Sequence, residues 1–243
     1  MKLNISLIEK EIENILPDIK EIRHYLHANP ELSLKEFNTS KFIRKQLEGL
    51  ELEILTPFLE TDVVAMLSGQ NTKKNVTLRA DIDALPLQER GNHSYRSTRE
   101  NVMHACGHDG HTAILIGAAI ILEKMKNDFD GSVRFVFQPG EEIVAAGKEL
   151  VAKGVLETPE PDAVLALHSW PGFPVGAICS KPGPLLAAAD MYKLVITGKG
   201  GHGSKPEESI DPILTASRII NSLYLIPSRK ITALDSLVIS ICK

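Results

Sequence analysis

The stretch Met103-His104-Ala105-Cys106-Gly107-His108-Asp109-Gly110-His111-Thr112 gathers a thiol, three imidazoles and a carboxylate between glycines. Burying such a set is costly unless something draws it together, and a divalent cation is the usual agent. Cys106 and His108 are two residues apart. In a locally extended backbone, residues at that spacing point the same way, and Gly107 between them allows close approach. A thiolate with an imidazole suits a borderline-soft ion such as Zn²⁺, and also Mn²⁺, Co²⁺ or Ni²⁺. A single Cys or His is more often a packed core residue. Here the bunching of Cys106, His108 and His111 with partners elsewhere favours ligation.

Those partners lie further along. Phe137-Gln138-Pro139-Gly140-Glu141-Glu142 supplies two adjacent carboxylates after a turn. One can bind metal while the other takes a proton from water; the plainer reading is two solvated acids at a helix start. His168 follows the apolar run Ala163 to Leu167. Asp81 and Asp83 follow another apolar segment, where paired aspartates often orient metal-bound histidines; Asp83 is the one expected to matter more. His202 lies between glycines in Gly198-Lys199-Gly200-Gly201-His202-Gly203, and spacing alone makes it a surface residue. That loop lacks the Gly-Lys-Ser/Thr of a phosphate loop. His24 and His27 fall on an amphipathic stretch and read as structural.

The elements that must carry these groups are legible from periodicity. Ile5, Ile8, Ile12, Ile15, Ile19, Ile22 and Leu26 form one helical stripe. Pro17 inside it predicts two helices or a kink, and Asn29-Pro30 ends it. Ser33 and Glu36 have capping-box spacing for a second helix closed by Gly49. Strands are predicted at Asp62 to Leu67, Asn75 to Ala80 and Ser132 to Gln138, with turn residues Ser68 to Asn71 after the first. Thr112 to Lys126 predicts a buried helix, and Val144 to Lys153 a helix stopped by Gly154. Ala163 to Leu167 reads as a fully apolar, central strand. Beyond a linker at Lys181 to Pro184, a strand is predicted at Tyr192 to Thr197, a helix at Ile210 to Ile226 and a strand at Leu237 to Ile241. In open α/β sheets, sites form beyond the carboxyl ends of strands. Asp81/Asp83, Glu141/Glu142 and His168 all fall at such ends.

The 243 residues suffice for one large or two small domains with a real core. A net charge of −4 without a Lys/Arg block argues against nucleic acid or an anionic membrane as partner. The 3 cysteines, Cys106, Cys179 and Cys242, are odd in number and scattered, which fits a reducing compartment. Early charge at Lys2, Glu9 and Lys10 argues against a signal peptide, and the longest apolar run is far short of the ~20 residues of a membrane span. A cytoplasmic protein is expected.

Taken in order, Leu78-Arg79-Ala80-Asp81-Ile82-Asp83-Ala84-Leu85-Pro86, the His104–His111 cluster, Gln138-Pro139-Gly140-Glu141-Glu142, Leu167-His168-Ser169-Trp170-Pro171 and the Gly198–Gly203 loop resemble the amidohydrolase branch of the dinuclear metallopeptidases. That branch includes N-acyl-amino-acid amidohydrolases, hippurate hydrolases, N-acetyldiaminopimelate deacetylases and the hydrolases of indole-acetyl-amino-acid conjugates. The resemblance runs from Arg23-His24 to the end of the chain. It implies a three-layer α/β/α zinc-peptidase-like catalytic domain with a mixed, largely parallel sheet over residues 1–183. Residues 184–243 would begin an α+β lid and dimerisation domain. It implies Cys106, His108, Glu142 and His168 as ligands of two divalent ions (Mn, Zn, Co or Ni), and Glu141 as general base. His202 would stabilise the tetrahedral intermediate, often across a homodimer. Family members run past this length and supply a further histidine ligand, so Lys243 is expected to fall inside the lid, leaving sheet edges and apolar surface exposed. The implied reaction is hydrolysis of an N-acyl amino acid; the rivals are an inactive fragment and a dipeptidase or aminoacylase of the same superfamily.

Overall fold

The isoleucine stripe forms a single helix, α1 (Ile5–Ala28), in the computed structural model, which describes residues 5–71 and 74–242. Pro17 lies inside α1 without ending it, so of the two expected outcomes the stripe forms one helix and not two. The reason is packing on both sides of the proline. Ile15 and Ile19 both lie against Gly117 of α3 (His108–Lys124), where an added Cβ would stand 3.3 Å from Ile19 and 3.7 Å from Ile15. That continuous contact offsets the one hydrogen bond Pro17 removes.

The sheet holds five strands: β1 (Glu53–Ile54), β2 (Val63–Ser68), β3 (Asn75–Asp81), β4 (Ser132–Gln138) and β5 (Ala163–Ala166). Their order is β1-β2-β4-β3-β5. It is mixed: β4, β3 and β5 run parallel, while β1 and β2 are antiparallel to their neighbours. Side-chain alternation gives the sheet two apolar faces. Val63, Ala65, Leu67, Phe135 and Phe137 pack with Ile22, Leu26, Ile43, Leu47 and Ile116 from α1, α2 (Phe37–Leu47) and α3. On the other face, Val64 and Val136 pack with Leu150 and Val155, from and just after α5 (Gly147–Ala152). The result is a three-layer α/β/α arrangement. α5 lies within the helix expected over Val144 to Lys153 and ends before Gly154, and a one-turn helix, α4 (Glu141–Val144), precedes it. Among the described residues β5 pairs with β3 alone, at the edge of the sheet, and is exposed along its length, where a central position was expected. Its apolar run shows that it lacks a polar face; it does not show how many neighbours it has.

The register fixes where chains leave the sheet. Asp81 pairs with Gln138 and Arg79 with Ala166, so the ends of β3, β4 and β5 open on one rim. One buried carboxylate ties that rim to the helices. Glu36 Oε1 accepts from the backbone N–H of Leu34 (2.9 Å) and of Gly140 (2.9 Å), and Oε2 accepts from the Thr61 hydroxyl (2.9 Å). The expected capping box is therefore absent. Glu36 points away from the N-terminus of α2, and the Ser33 hydroxyl donates to Asp83 instead (2.6 Å). Gly49, at φ +85°, follows the α2 C-cap as expected.

The chain divides into two compact units, Met1–Val175 and Gly176–Lys243. In the second, Lys199 and Ile210 exchange two backbone hydrogen bonds. Helix α6 (Pro212–Arg229) starts at Asp211, whose carboxylate accepts from Ile213 and Leu214 N–H, with Pro212 in the first turn. Tyr192 to Thr197 and Leu237 to Ile241, predicted as strands, form no ladder among the described residues. Alternating apolar residues make a strand only where a partner accepts their hydrogen bonds.

Glu36→Ala would orphan two backbone N–H groups and a hydroxyl beneath the rim. At roughly 1–3 kcal/mol for each unsatisfied buried donor, it is expected to cost about 3 kcal/mol in urea unfolding, with Glu36→Gln losing less than half of that. Burial raises the Glu36 pKa. Its share of stability is thus fully present below the unfolded value and lost as pH rises through the folded one, so the gap between wild type and Glu36→Gln should narrow above that pH.

Candidate metal centre

After β3 the chain passes Asp81 and Asp83. It then makes a long excursion closed by paired backbone hydrogen bonds between Leu85 and Met103 (3.0 and 3.1 Å). This closure delivers residues 104–107 back to the rim. Gly107 then turns at φ +87° as the N-cap of α3. A Cβ there would lie 2.5 Å from the Ser169 hydroxyl, so glycine serves both the turn and the approach of the segment after β5. His108 is the first residue of α3, four residues earlier than the helix predicted from Thr112. Cys106 and His108 therefore converge through a left-handed turn and not along an extended segment.

His108 is fully buried, and its orientation is fixed. Its Nδ1 donates to the Asp83 backbone carbonyl (3.0 Å), with Asp83 Oδ1 at 3.3 Å. That leaves the Nε2 lone pair facing inward, 3.6 Å from Asp81 Oδ1, 3.7 Å from Glu142 Oε1 and 4.0 Å from Glu141 Oε2. Asp83 Oδ2 also accepts from the Glu142 backbone N–H (3.0 Å), which places the start of α4. Cys106 Sγ lies 3.6 Å from His168 Nε2, and His168 Nδ1 donates to the Ser169 carbonyl (2.7 Å). All four residues expected as ligands thus stand on one rim, beside Glu141. The two glutamates differ in exposure: the Glu142 side chain is 14% exposed and Glu141 41%. Glu142 is the more buried of the two and the nearer to His108. His202 belongs to the second unit, exposed, with Nδ1 2.8 Å from the Ser204 hydroxyl.

The donors fit a cation. Cys106, His108 and Glu142 each offer an atom within 4.8 Å of the others, and so do Asp81, His108, His111 and His168. The two groups share His108. Two buried atoms of the first group, His108 Nε2 and Glu142 Oε1, have no hydrogen-bond partner, an arrangement proteins rarely tolerate without a ligand. In the second group His111 is already engaged at both nitrogens: Nδ1 donates to Asp81 (2.6 Å), and Nε2 accepts from the Ser169 N–H (2.8 Å). His111 therefore straps the His168 segment to the sheet, and the sequence reading missed this role of Ser169.

Electrostatics point the same way. Burial first, then the charges of Glu142, Glu141 and Asp81, push the Cys106 thiol up to about 12. Burial also raises Glu142. Asp81 is held at about 2: burial opposes its charge, but the His111 hydrogen bond, His108 and Arg79 outweigh it. Burial opposes a charged His108 too, yet Asp83 and Asp81 leave it above its ordinary value. His104, almost wholly buried, is driven by desolvation down to about 4 and stays neutral. A divalent ion would reverse the penalty on both Cys106 and Glu142.

Residues 77–231 match the family described as Peptidase family M20/M25/M40. The chain belongs to that family. Over 223 residues it is 45% identical to the N-acetylcysteine deacetylase of Bacillus subtilis (strain 168), covering 91% of this chain and 58% of that protein. It is 41% identical to thermostable carboxypeptidase 2 of Saccharolobus solfataricus, with 98% and 61% covered. To the hippurate hydrolase of Campylobacter jejuni it is 40% identical, with 95% and 60% covered. The chain thus spans about three-fifths of the length of these curated relatives. Among solved structures, a dinuclear metal binding peptidase of the M20 family from Bacillus subtilis, YXEP, superposes with a TM-score of 0.69 at 38% identity, over 88% of this chain and 57% of that one. A protein from methicillin-resistant Staphylococcus aureus superposes at 0.79 and 33% identity, over 96% and 62%. No helix among the described residues of this M20 chain is long and apolar enough to cross a membrane.

A thiol at about 12 must lose its proton to bind an ion. Zn²⁺ affinity, measured against a competing chelator, is expected to fall about tenfold per unit of acidification across the neutral range on account of this proton. Cys106→Ala should flatten that slope. Equal slopes in the two proteins would place the sulfur outside the coordination sphere.

Proposed function

We propose that the chain carries the metal-binding portion of an N-acyl-amino-acid amidohydrolase, a metallo-hydrolase that cleaves the amide between an acyl group and an amino-acid nitrogen. The observation that carries this reading is the pair of unpartnered donors, His108 Nε2 and Glu142 Oε1, facing Cys106 with the more exposed Glu141 beside them. Relatives whose names specify N-acetylcysteine and hippurate support the substrate class. Cys106, His108, Glu142 and His168 would hold two ions from among Zn²⁺, Mn²⁺, Co²⁺ and Ni²⁺, as a mixed sulfur, nitrogen and oxygen donor set allows.

The cation supplies Lewis acidity toward the amide carbonyl and acidifies water at neutral pH. Asp83 keeps His108 in one tautomer and holds the Glu142 backbone N–H in the first turn of α4, which fixes the place of Glu142 and of Glu141 beside it. Glu141 accepts a proton from the attacking water and returns it to the leaving amine nitrogen, which balances the hydrolysis. By the resemblance, His202 would stabilise the developing oxyanion, often in the site of the partner subunit across the homodimer. In this reading residues 1–183 form the catalytic domain, and residues 184–243 the first part of a lid that pairs two subunits in a cytoplasmic homodimer. A second reading, peptide cleavage, is favoured by the likeness to a carboxypeptidase; faster turnover of dipeptides than of hippurate or N-acetyl-amino acids would select it.

Glu141→Gln is expected to lower turnover of N-acyl amino acids by about 10²–10⁴-fold with metal content near that of the wild type. Loss of metal in that variant would show that the two glutamates have exchanged roles.

A further inference from the structure

A third group of donors lies away from the rim. His27, near the end of α1, meets Glu89 and His93 from the excursion between Leu85 and Met103. His27 Nε2 is 3.2 Å from Glu89 Oε1, and His93 Nε2 is 2.9 Å from the same oxygen. One atom from each residue lies within 4.8 Å of the other two. Bonds of about 2.0–2.1 Å to a tetrahedral ion set its donors roughly 3.3 Å apart, so each imidazole is already near the spacing from the carboxylate that an ion imposes.

Four further observations fit a ligand there. His93 Nε2 is a buried atom that lacks an aligned hydrogen bond despite its closeness to Glu89. His27 has the support that metal-bound imidazoles usually have: its Nδ1 donates to Asp109 Oδ2 (3.0 Å), and Arg23 Nε neutralises the same oxygen (3.0 Å). Glu89 is anchored as well, its Oε2 accepting from the Ser97 N–H (2.6 Å). Finally, Gly91 sits inside the Glu89–His93 turn, where a Cβ would come within 2.8 Å of the His93 ring and 3.2 Å of Glu89 Oε1. The missing side chain lets both donors fold onto His27.

We propose that His27, Glu89 and His93 form a second, separate site for a borderline divalent cation of the Zn²⁺ type, which clips the residue 85–103 excursion to α1. Two imidazoles and a carboxylate leave a tetrahedral ion one open position. The His93 side chain, 35% exposed, gives solvent a path to it. The excursion is already tied to the end of α1 by Thr98, whose N–H (2.9 Å) and hydroxyl (2.7 Å) both donate to the Ala28 carbonyl. An ion at His27, the residue just before Ala28, would fasten the excursion at a second point through Glu89 and His93. The competing arrangement is an imidazolium at His27 shared between the carboxylates of Asp109 and Glu89, with no ion involved.

Metal-stripped protein titrated with Co²⁺ separates the two. The wild type is expected to bind one more ion per chain than His93→Ala, while the thiolate-to-cobalt absorption that reports Cys106 keeps its wild-type intensity in both. Equal uptake by the two proteins overturns the proposal in favour of the shared imidazolium. His93→Gln, which keeps the side-chain volume, gives the same readout should the alanine variant fail to fold. A wild type without the thiolate band but with the His93-dependent ion would sink the rim centre and leave this site standing.

Discussion

One buried carboxylate, that of Asp83, decides whether the rim exists. It accepts from the Ser33 hydroxyl and from the Glu142 N–H, and with its own backbone carbonyl it fixes the ring of His108. Four segments meet there: the end of β3, the link between α1 and α2, the start of α3 and the start of α4. Burying a carboxylate opposes its ionisation, but these donors outweigh burial and leave the Asp83 pKa below its ordinary value. The charge is thus stable where it is, and its position is transmitted to two of the proposed ligands and, through α4, to Glu141.

The rim has the character of an anionic pocket built in advance of its ion. Asp81 and Asp83 remain charged in the interior because imidazoles and Arg79 surround them. For the thiol and Glu142 burial prevails over the nearby imidazoles, and both are pushed toward their protonated forms. Groups that keep a charge support the ring nitrogens, and groups that lose theirs face the interior as ligands would. The same division recurs around Asp109, one residue after His108, where Arg23 and His27 hold a carboxylate at about 2 against burial.

Much of this was legible beforehand because the signals are local. Strand ends followed by acids or a histidine placed Asp81, Glu141 and His168 on one side of the sheet, and β4 matches its predicted span from Ser132 to Gln138. What could not be read depends on contacts between distant segments. Ser33 has the spacing of a helix cap, yet a carboxylate fifty residues away is the stronger acceptor. Pro17 allows either two helices or one, and packing of Ile15 and Ile19 on Gly117 across the interface favours one. His27 looked like an ordinary helix residue until Glu89 and His93, in a stretch without periodicity, folded onto it. The apolar run of β5 does not specify how many strands flank it, and the residues from Tyr192 to Thr197 do not specify a partner strand, which none of the described residues supplies.

The central claim is that sulfur, imidazole and carboxylate from three separate segments bind one cation cluster at the sheet rim. X-ray absorption at the zinc edge of the metal-loaded protein tests it most directly. The account predicts a sulfur scatterer at about 2.3 Å beside nitrogen and oxygen neighbours at about 2.0–2.2 Å. A first shell of nitrogen and oxygen alone, unchanged when Cys106 is replaced by alanine, would contradict it.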